Sequence, residues 1–475
     1  MNTLFEHNLG VVNLGVGAFS ENINTAQGES INVDWRPPGE GDVGAARSLA
    51  RLINNPDIDS ANQSAYTRYL ESRPVLIGLG NALDVIPDMT ERTILHSGPP
   101  VDWSQMCGPM QGAVIGAILY EGWVNNETDA RKLAAGGEVS FSPCHHYGAV
   151  GPMSGVISPS MPVWIVRDEV GGNLAFSNLN EGLGRVLRFG AHDQEVIDRL
   201  KWMQSVLAPF LAASLDTLGG IEIKPLLAQA LHMGDECHNR NVASTSLLIK
   251  MLLPAALRSG LDDKVVASCT EFMARNDHFF LNISMAACKT MMDASEGVAG
   301  SSLVTAMARN GVYFGIRISG GGDRWFTTEA PVVDGLYFPG YSILDAAPDL
   351  GDSAITETAG LGGFAMAASP AIVQFVGGSP ADAILRSREM ALVTLGQNSA
   401  LTLPALNFAG TPAGIDACQV VDQNITPIIN TGIAHKEAGI GQIGAGITRA
   451  PMSCFTQAVQ WLDENFLPSG DGKPE

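Results

Sequence analysis

Only 16% of the 475 residues are charged, and the basic ones are the scarcer: 28 Lys and Arg stand against 49 Asp and Glu, a formal net charge of −21. A field of that sign repels polyanions, which excludes broad nucleic-acid binding and requires any anionic ligand to be gripped locally. Seven cysteines lie at 107, 144, 237, 269, 288, 418 and 454 with no Cys-x-x-Cys pair. That spacing excludes a zinc framework and a disulfide scaffold, and points to a reducing, cytoplasmic setting. No apolar run approaches the roughly 20 residues that cross a bilayer, since Ser246 to Leu257 is broken by Lys250 and Pro254. The N-terminus carries Glu6 and no basic stretch before an apolar run, so no secretory signal and no membrane association are expected. A Walker A loop, a Gly-x-Ser-x-Gly elbow, a His-Glu-x-x-His helix and a dinucleotide glycine loop in strand–turn–helix context are all missing, which removes ATPase, serine hydrolase and zinc protease chemistry.

What is present is a chain 45% hydrophobic, with 53 Gly and 26 Pro, enough for a large core crossed by many tight turns. The patterning predicts a multidomain α/β and α+β fold. Residues Gly10 to Val16, Phe19 to Gln27 and Ile31 to Trp35 read as strand, helix, strand, and strands at Pro74 to Leu79 and Thr93 to His96 are followed by an apolar helix from Met106 to Trp123. These make an N-terminal parallel α/β domain, 1–130. A second region, 131–310, opens with antiparallel strands Met161 to Arg167 and Asn173 to Ser177 around Gly171-Gly172. Its central helical block is Glu195 to Leu215, Glu222 to Met233, Ala243 to Leu257, Lys264 to Ala274 and Leu281 to Met292. The remainder, 311–475, reads as an α+β region from strand Val312 to Ser319 to an amphipathic helix, Cys454 to Phe466, with Pro468 to Glu475 as a frayed tail.

The densest polar run, His232-Met-Gly-Asp-Glu-Cys-His-Asn-Arg-Asn241, lies between two helical patterns. A capped helix–loop–helix joint accounts for one or two of these residues. The excess points to an anion and acid/base site, with His232, Asn239, Arg240 and Asn241 as anion or substrate ligands and Asp235, Glu236 and His238 for proton transfer. On one continuous helix His232 and His238 would point about 240° apart, so no metal ligands are assigned and no cofactor is expected, a bound metal being the lesser alternative. His145 and His146, at a loop edge, are candidates for polarising a carbonyl. The turn Gly320-Gly321-Gly322-Asp323-Arg324-Trp325 offers backbone N–H groups and a guanidinium to an anion. Glu357, in a glycine-flanked segment, and Arg449, in the glycine-rich C-terminal region, complete the candidates.

The 232–241 run, the segments Gly320 to Pro331 and Gly351 to Met366, the opening Val33-Asp-Trp-Arg-Pro-Pro38 and the ending Gly432-Ile-Ala-His-Lys-Glu-Ala-Gly439 together resemble the YlbE/YahG family over nearly the whole chain. The resemblance implies a setting beside FdrA-like proteins, which resemble succinyl-CoA synthetase subunits, and beside a carbamate kinase. One such set forms an oxamate carbamoyltransferase that moves a carbamoyl group between oxalurate and phosphate in purine or allantoin breakdown. The expectation is therefore a carbamoyltransferase subunit acting on a small anionic substrate, in a homo- or hetero-oligomer with an FdrA-like protein and a third small subunit. The alternatives are a non-catalytic partner of the FdrA-like protein and a metal-dependent amidohydrolase on a ureido or cyclic amide. If one cleft does the chemistry, His145, Arg240 and Arg324 should share it.

Overall fold

The computed structural model describes residues 10–33 and 35–467 and is a mixed α/β architecture with both parallel and antiparallel sheets. The frayed-tail reading of Pro468 to Glu475 and the charge reading at Glu6 fall outside these residues.

The chain begins with the expected strand–helix–strand unit: Gly10–Leu14 and Glu29–Val33 pair in parallel across the helix Gly17–Thr25. A second parallel pair joins Thr93–His96 to Ser140–Pro143. Its crossover carries the helix Gly108–Tyr120, apolar on every side and accordingly buried at ten of thirteen positions. Pro109 sits in its first turn, where the missing N–H costs no intrahelical bond.

A five-stranded sheet runs in the order Ala149–Val150, Leu174–Asn178, Pro162–Asp168, Pro74–Asn81, Ile221–Glu222. Its central hairpin turns at Gly171-Gly172, as its sequence predicts. Asp168 holds the turn by accepting hydrogen bonds from the Val170 and Gly171 amides. The helical block follows. Gln194–Trp202 continues through a wide turn at Met203–Leu207 into Ala208–Leu218, and then come Ile223–His232, Val242–Arg258, Asp263–Ala274 and Leu281–Ala294. The last of these is buried at twelve of fourteen positions, which places it in the middle of the molecule rather than on its surface.

The C-terminal third is built from a four-stranded antiparallel sheet (Phe326–Glu329, Tyr313–Ile318, Val304–Asn310, Leu350–Gly351), a three-stranded one (Asp334–Tyr337, Gln442–Arg449, Ile428–Ala434) and the long hairpin Thr394–Leu403 with Ala409–Ile415. The closing helix Met452–Phe466 turns its apolar face inward through Phe455, Val459 and Leu462. One large core runs from Tyr69 through Met110, Trp164 and Phe279 to Ala413; a second gathers Leu49, Phe314, Phe364 and Phe455. Among the described residues no helix is long and apolar enough to cross a membrane.

Candidate functional site

The helix Ile223–His232 stops at Gly234, whose φ of +96° is a conformation that side chains resist, and the chain then loops to the start of Val242–Arg258. Three carboxylates hold this loop. Asp235 Oδ2 accepts from both the amide and the hydroxyl of Ser244, in the first turn of the second helix. Glu236 is wholly buried and accepts from the backbone amides of His238 (3.1 Å) and Arg240 (2.7 Å). Glu357, 119 residues away in sequence, takes the His238 Nδ1–H at 2.8 Å.

Glu357 is also fully buried, and its carboxylate further accepts from the Gly363 amide, the Asn430 amide and the Thr356 hydroxyl. The chain must pass close to this group. A Cβ at Gly362 would lie 2.0 Å from Glu357 Oε1, and Gly362 has a φ of +55°, so only glycine fits there.

Burial pushes the Glu236 carboxyl up to about 7, against the favourable charge of His238. In the unfolded chain the same group would ionise near 4.3. The folded state therefore binds more protons between those values, and Glu236 contributes stability that is complete below about pH 4 and lost as pH rises through 7. Equilibrium urea unfolding at pH 5 and pH 7.5 should show that Glu236→Gln loses less stability over this interval than the wild type does. Equal losses would contradict the assignment.

Beyond the loop lies a cleft of about 480 Å³, whose lining brings Asn239, Arg240 and Asn241 together with Tyr337, Phe338 and Gln442. Arg240 bonds through Nε to the Gly234 carbonyl, and its side chain is one-third exposed. Asn241 is fully buried. Its Nδ2 donates to the His238 carbonyl, while its Oδ1 has no partner. Asn239 Nδ2 is likewise buried and unpaired. Orphaned buried amide groups are uncommon and costly; here they belong to two residues that flank the part-exposed Arg240 guanidinium on one cavity, the unpaired atoms themselves lying beneath its surface.

His278 also lines this cleft. Sequence reasoning passed over it, although Arg275-Asn-Asp-His278 is a second polar run between two helices and carries the same kind of signal as 232–241.

The other candidates lie elsewhere. His145 and His146 gather with the triple-glycine turn: His146 Nε2 accepts from Trp325 Nε1 at 2.9 Å, and His145 sets its ring against Trp325 at 5.5 Å. His145 is buried, with neither ring nitrogen hydrogen-bonded and Nε2 3.7 Å from Asp352. Burial, with Lys289 and Arg317 nearby, holds it well below the usual histidine range, so it is neutral.

In the turn itself Arg317 clasps the Gly322 carbonyl and Asp323, next to Gly321, and Arg324 lies over the Trp461 ring at 5.4 Å. The expectation of one cavity shared by His145, Arg240 and Arg324 is corrected here, because the cleft is walled by Arg240 and by none of His145, His146 or Arg324. The strand Tyr313–Ile318 brings the glycine turn to the double histidine instead, through Arg317 and Trp325.

His232, at its helix end, bonds Thr402 and packs on Phe408. Arg449 pairs with Glu389 beside a separate cavity of about 390 Å³. Among the described residues no three or more His, Cys, Asp or Glu side chains converge as metal ligands.

The family model described as oxamate carbamoyltransferase subunit AllG matches residues 139–353, which include the whole 232–241 run. The chain is 48% identical over 467 residues to the uncharacterized protein YahG of Escherichia coli (strain K12), covering 98% of this chain and 99% of that protein. It is 47% identical over 412 residues to the oxamate carbamoyltransferase subunit AllG of the same organism, covering 86% of this chain and 98% of the relative. A crystal structure of a conserved protein of unknown function from Enterococcus faecalis V583 superposes with a TM-score of 0.85 at 50% identity, over 86% of this chain and 98% of that one. Identity at this level over nearly the full length of each relative means that the chain belongs to the AllG/YahG family.

Proposed function

We propose that this chain is the subunit of a carbamoyltransferase that carries the acceptor cleft, moving a carbamoyl group between carbamoyl phosphate and oxamate or a related ureido acid such as oxalurate. In the direction of breakdown, the bond from the carbamoyl carbon to the oxamate nitrogen is broken, that nitrogen takes up a proton, and a phosphate oxygen bonds to the carbamoyl carbon. Carbamoyl phosphate and oxamate result. The observation that carries this reading is the part-exposed guanidinium of Arg240 on a cleft that Asn239 and Asn241 also line.

A carboxylate or phosphate matches the planar donors of Arg240. The rest of the substrate lies along Asn239 and Asn241, which line the same cleft, and the guanidinium also faces the charge that grows during transfer. Glu236, His238 and Glu357 act as positioning residues, fixing the 239–241 backbone from behind. In a chain of net charge −21 this local arrangement supplies the grip that the overall field denies to anions.

The mouth of the cleft is rimmed by Leu183, Leu336, Phe338 and Phe375, each about half exposed. Apolar rims of this kind favour a partner chain over the opening. We assign that place to an FdrA-like protein, with a third small subunit in the same cytoplasmic complex of nitrogen catabolism.

The test is phosphate release from carbamoyl phosphate with oxamate, measured for the chain alone and after addition of the partner subunits. Turnover that requires the assembled complex is the expected result. An assembled complex that leaves both substrates unchanged contradicts the reading.

A further inference from the structure

The N-terminal strand–helix–strand unit buries its polar groups and leaves its apolar ones in water. Successive side chains of a strand point to opposite faces. The helix Gly17–Thr25 covers the face that carries Asn13, Ser30 and Asn32, and the contacts there are polar: Ser20 Oγ meets Ser30 Oγ at 2.6 Å, and Asn13 Nδ2 donates to Asn32 Oδ1 at 2.6 Å. The opposite face carries Val12 and Leu14 on one strand and their register partners, Ile31 and Val33, on the other. Val12, Leu14 and Ile31 are 64–68% exposed, and Val16 and Phe19, at the turn into the helix, are nearly as open.

No element of the described chain covers that face. The two strands and their helix make their main contacts with one another. The chain meets the body of the protein at 36–40, where Asn424 Nδ2 donates to the Pro37 carbonyl at 2.8 Å and Asn424 Oδ1 accepts from the Glu40 amide at 2.7 Å. Parallel sheets are stable with both faces covered and with three or more strands; this one has two strands and one covered face. Gly10–Leu14 has a neighbour on one side only, so its outer edge can take another strand.

Charge decides the occupant. Residues 10–33 hold Glu21 and Glu29 and no Lys, Arg or His, and Glu29 shares the bare face, in register with Gly10. A second copy would set the same acidic group and the same net charge of −21 against it. A different protein, with an apolar surface and a basic residue beside it, complements both features.

We propose that this unit is a docking module for a separate subunit, whose α/β domain adds a strand along Gly10–Leu14 and covers Val12, Leu14, Ile31 and Val33. The cleft reading needs nothing from this surface. The two share only the partner subunits, which serve here as the probe.

Val12→Asp with Ile31→Asp puts charge on the bare face at positions that already meet water, so the body of the protein keeps its fold. The partner subunits, an FdrA-like protein and a third small subunit immobilised together on a sensor, should bind this variant of the full chain at least about 100-fold more weakly than wild type. Val12→Thr with Ile31→Thr keeps β-branched side chains, which guards against loss of the strands, and should weaken binding about ten-fold. Amide exchange over residues 10–14 should slow at least about ten-fold when the wild-type chain joins the complex.

An Asp double variant that binds like wild type, in a complex that still turns over, overturns the docking module and leaves the carbamoyl-transfer reading standing. So does light scattering that shows the chain alone as an oligomer which the same substitutions take apart, since a second copy then covers the face. Wild-type chain that turns over by itself and binds neither subunit overturns the docking module and the partner assignment together.

Discussion

Glu357→Ala is expected to destabilise the protein by about 3–5 kcal/mol, the range for removing one partner of a buried, hydrogen-bonded pair. The size follows from what the carboxylate serves: His238 Nδ1, the amides of Gly363 and Asn430 and the hydroxyl of Thr356 all donate to it, in a place without solvent. Alanine leaves these donors facing a void, and each unsatisfied buried group costs about 1–3 kcal/mol before relaxation. Glu357→Gln should be milder, because its amide oxygen still accepts while its NH₂ opposes an N–H. Urea denaturation reads both. A Glu357→Ala midpoint within error of the wild type would mean that the His238–Glu357 bond does not hold the loop.

The second large effect is on turnover. Arg240→Ala should lower the rate of the assembled complex by about 10²–10³, the range for losing one preorganised charge-stabilising donor. The fold should survive, since the side chain is one-third exposed and gives up one hydrogen bond, to the Gly234 carbonyl, and one long ion pair, to Asp235 at 3.8 Å. Arg240→Lys should fall between, because an ammonium keeps the charge and loses the planar fork. A rate unchanged by Arg240→Ala would move substrate binding elsewhere.

The elements were legible where the period of apolar residues is long. Leu281 to Met292 was expected as a helix and is the core of Leu281–Ala294; Thr93 to His96 is a strand with those ends. The 232–241 run stood out because its polar residues exceed what capping needs, and the structure shows where the excess goes: Asp235 and Glu236 close the loop, while Asn239, Arg240 and Asn241 reach the cleft.

Pairings made by the fold rather than by the local chain left no mark in the sequence. Glu357 was a candidate ligand without a partner, and its bond to His238 spans 119 residues. His145 and Arg324 were expected beside Arg240, but which strands adjoin is set by sheet order, and Tyr313–Ile318 carries Arg317 to Trp325 and the double histidine instead. His278 lies in a polar run of only four residues, Arg275-Asn-Asp-His278, a shorter version of the signal that marks 232–241. Only the fold shows that it lines the same cleft as Asn239.

The most direct measurement is a crystal structure of the protein soaked in oxamate. The account predicts difference density in the cleft, with the carboxylate on Arg240. Oxamate ordered at the His145–Trp325 cluster and absent from the cleft, or seated in the cleft with its carboxylate turned away from Arg240, would contradict it.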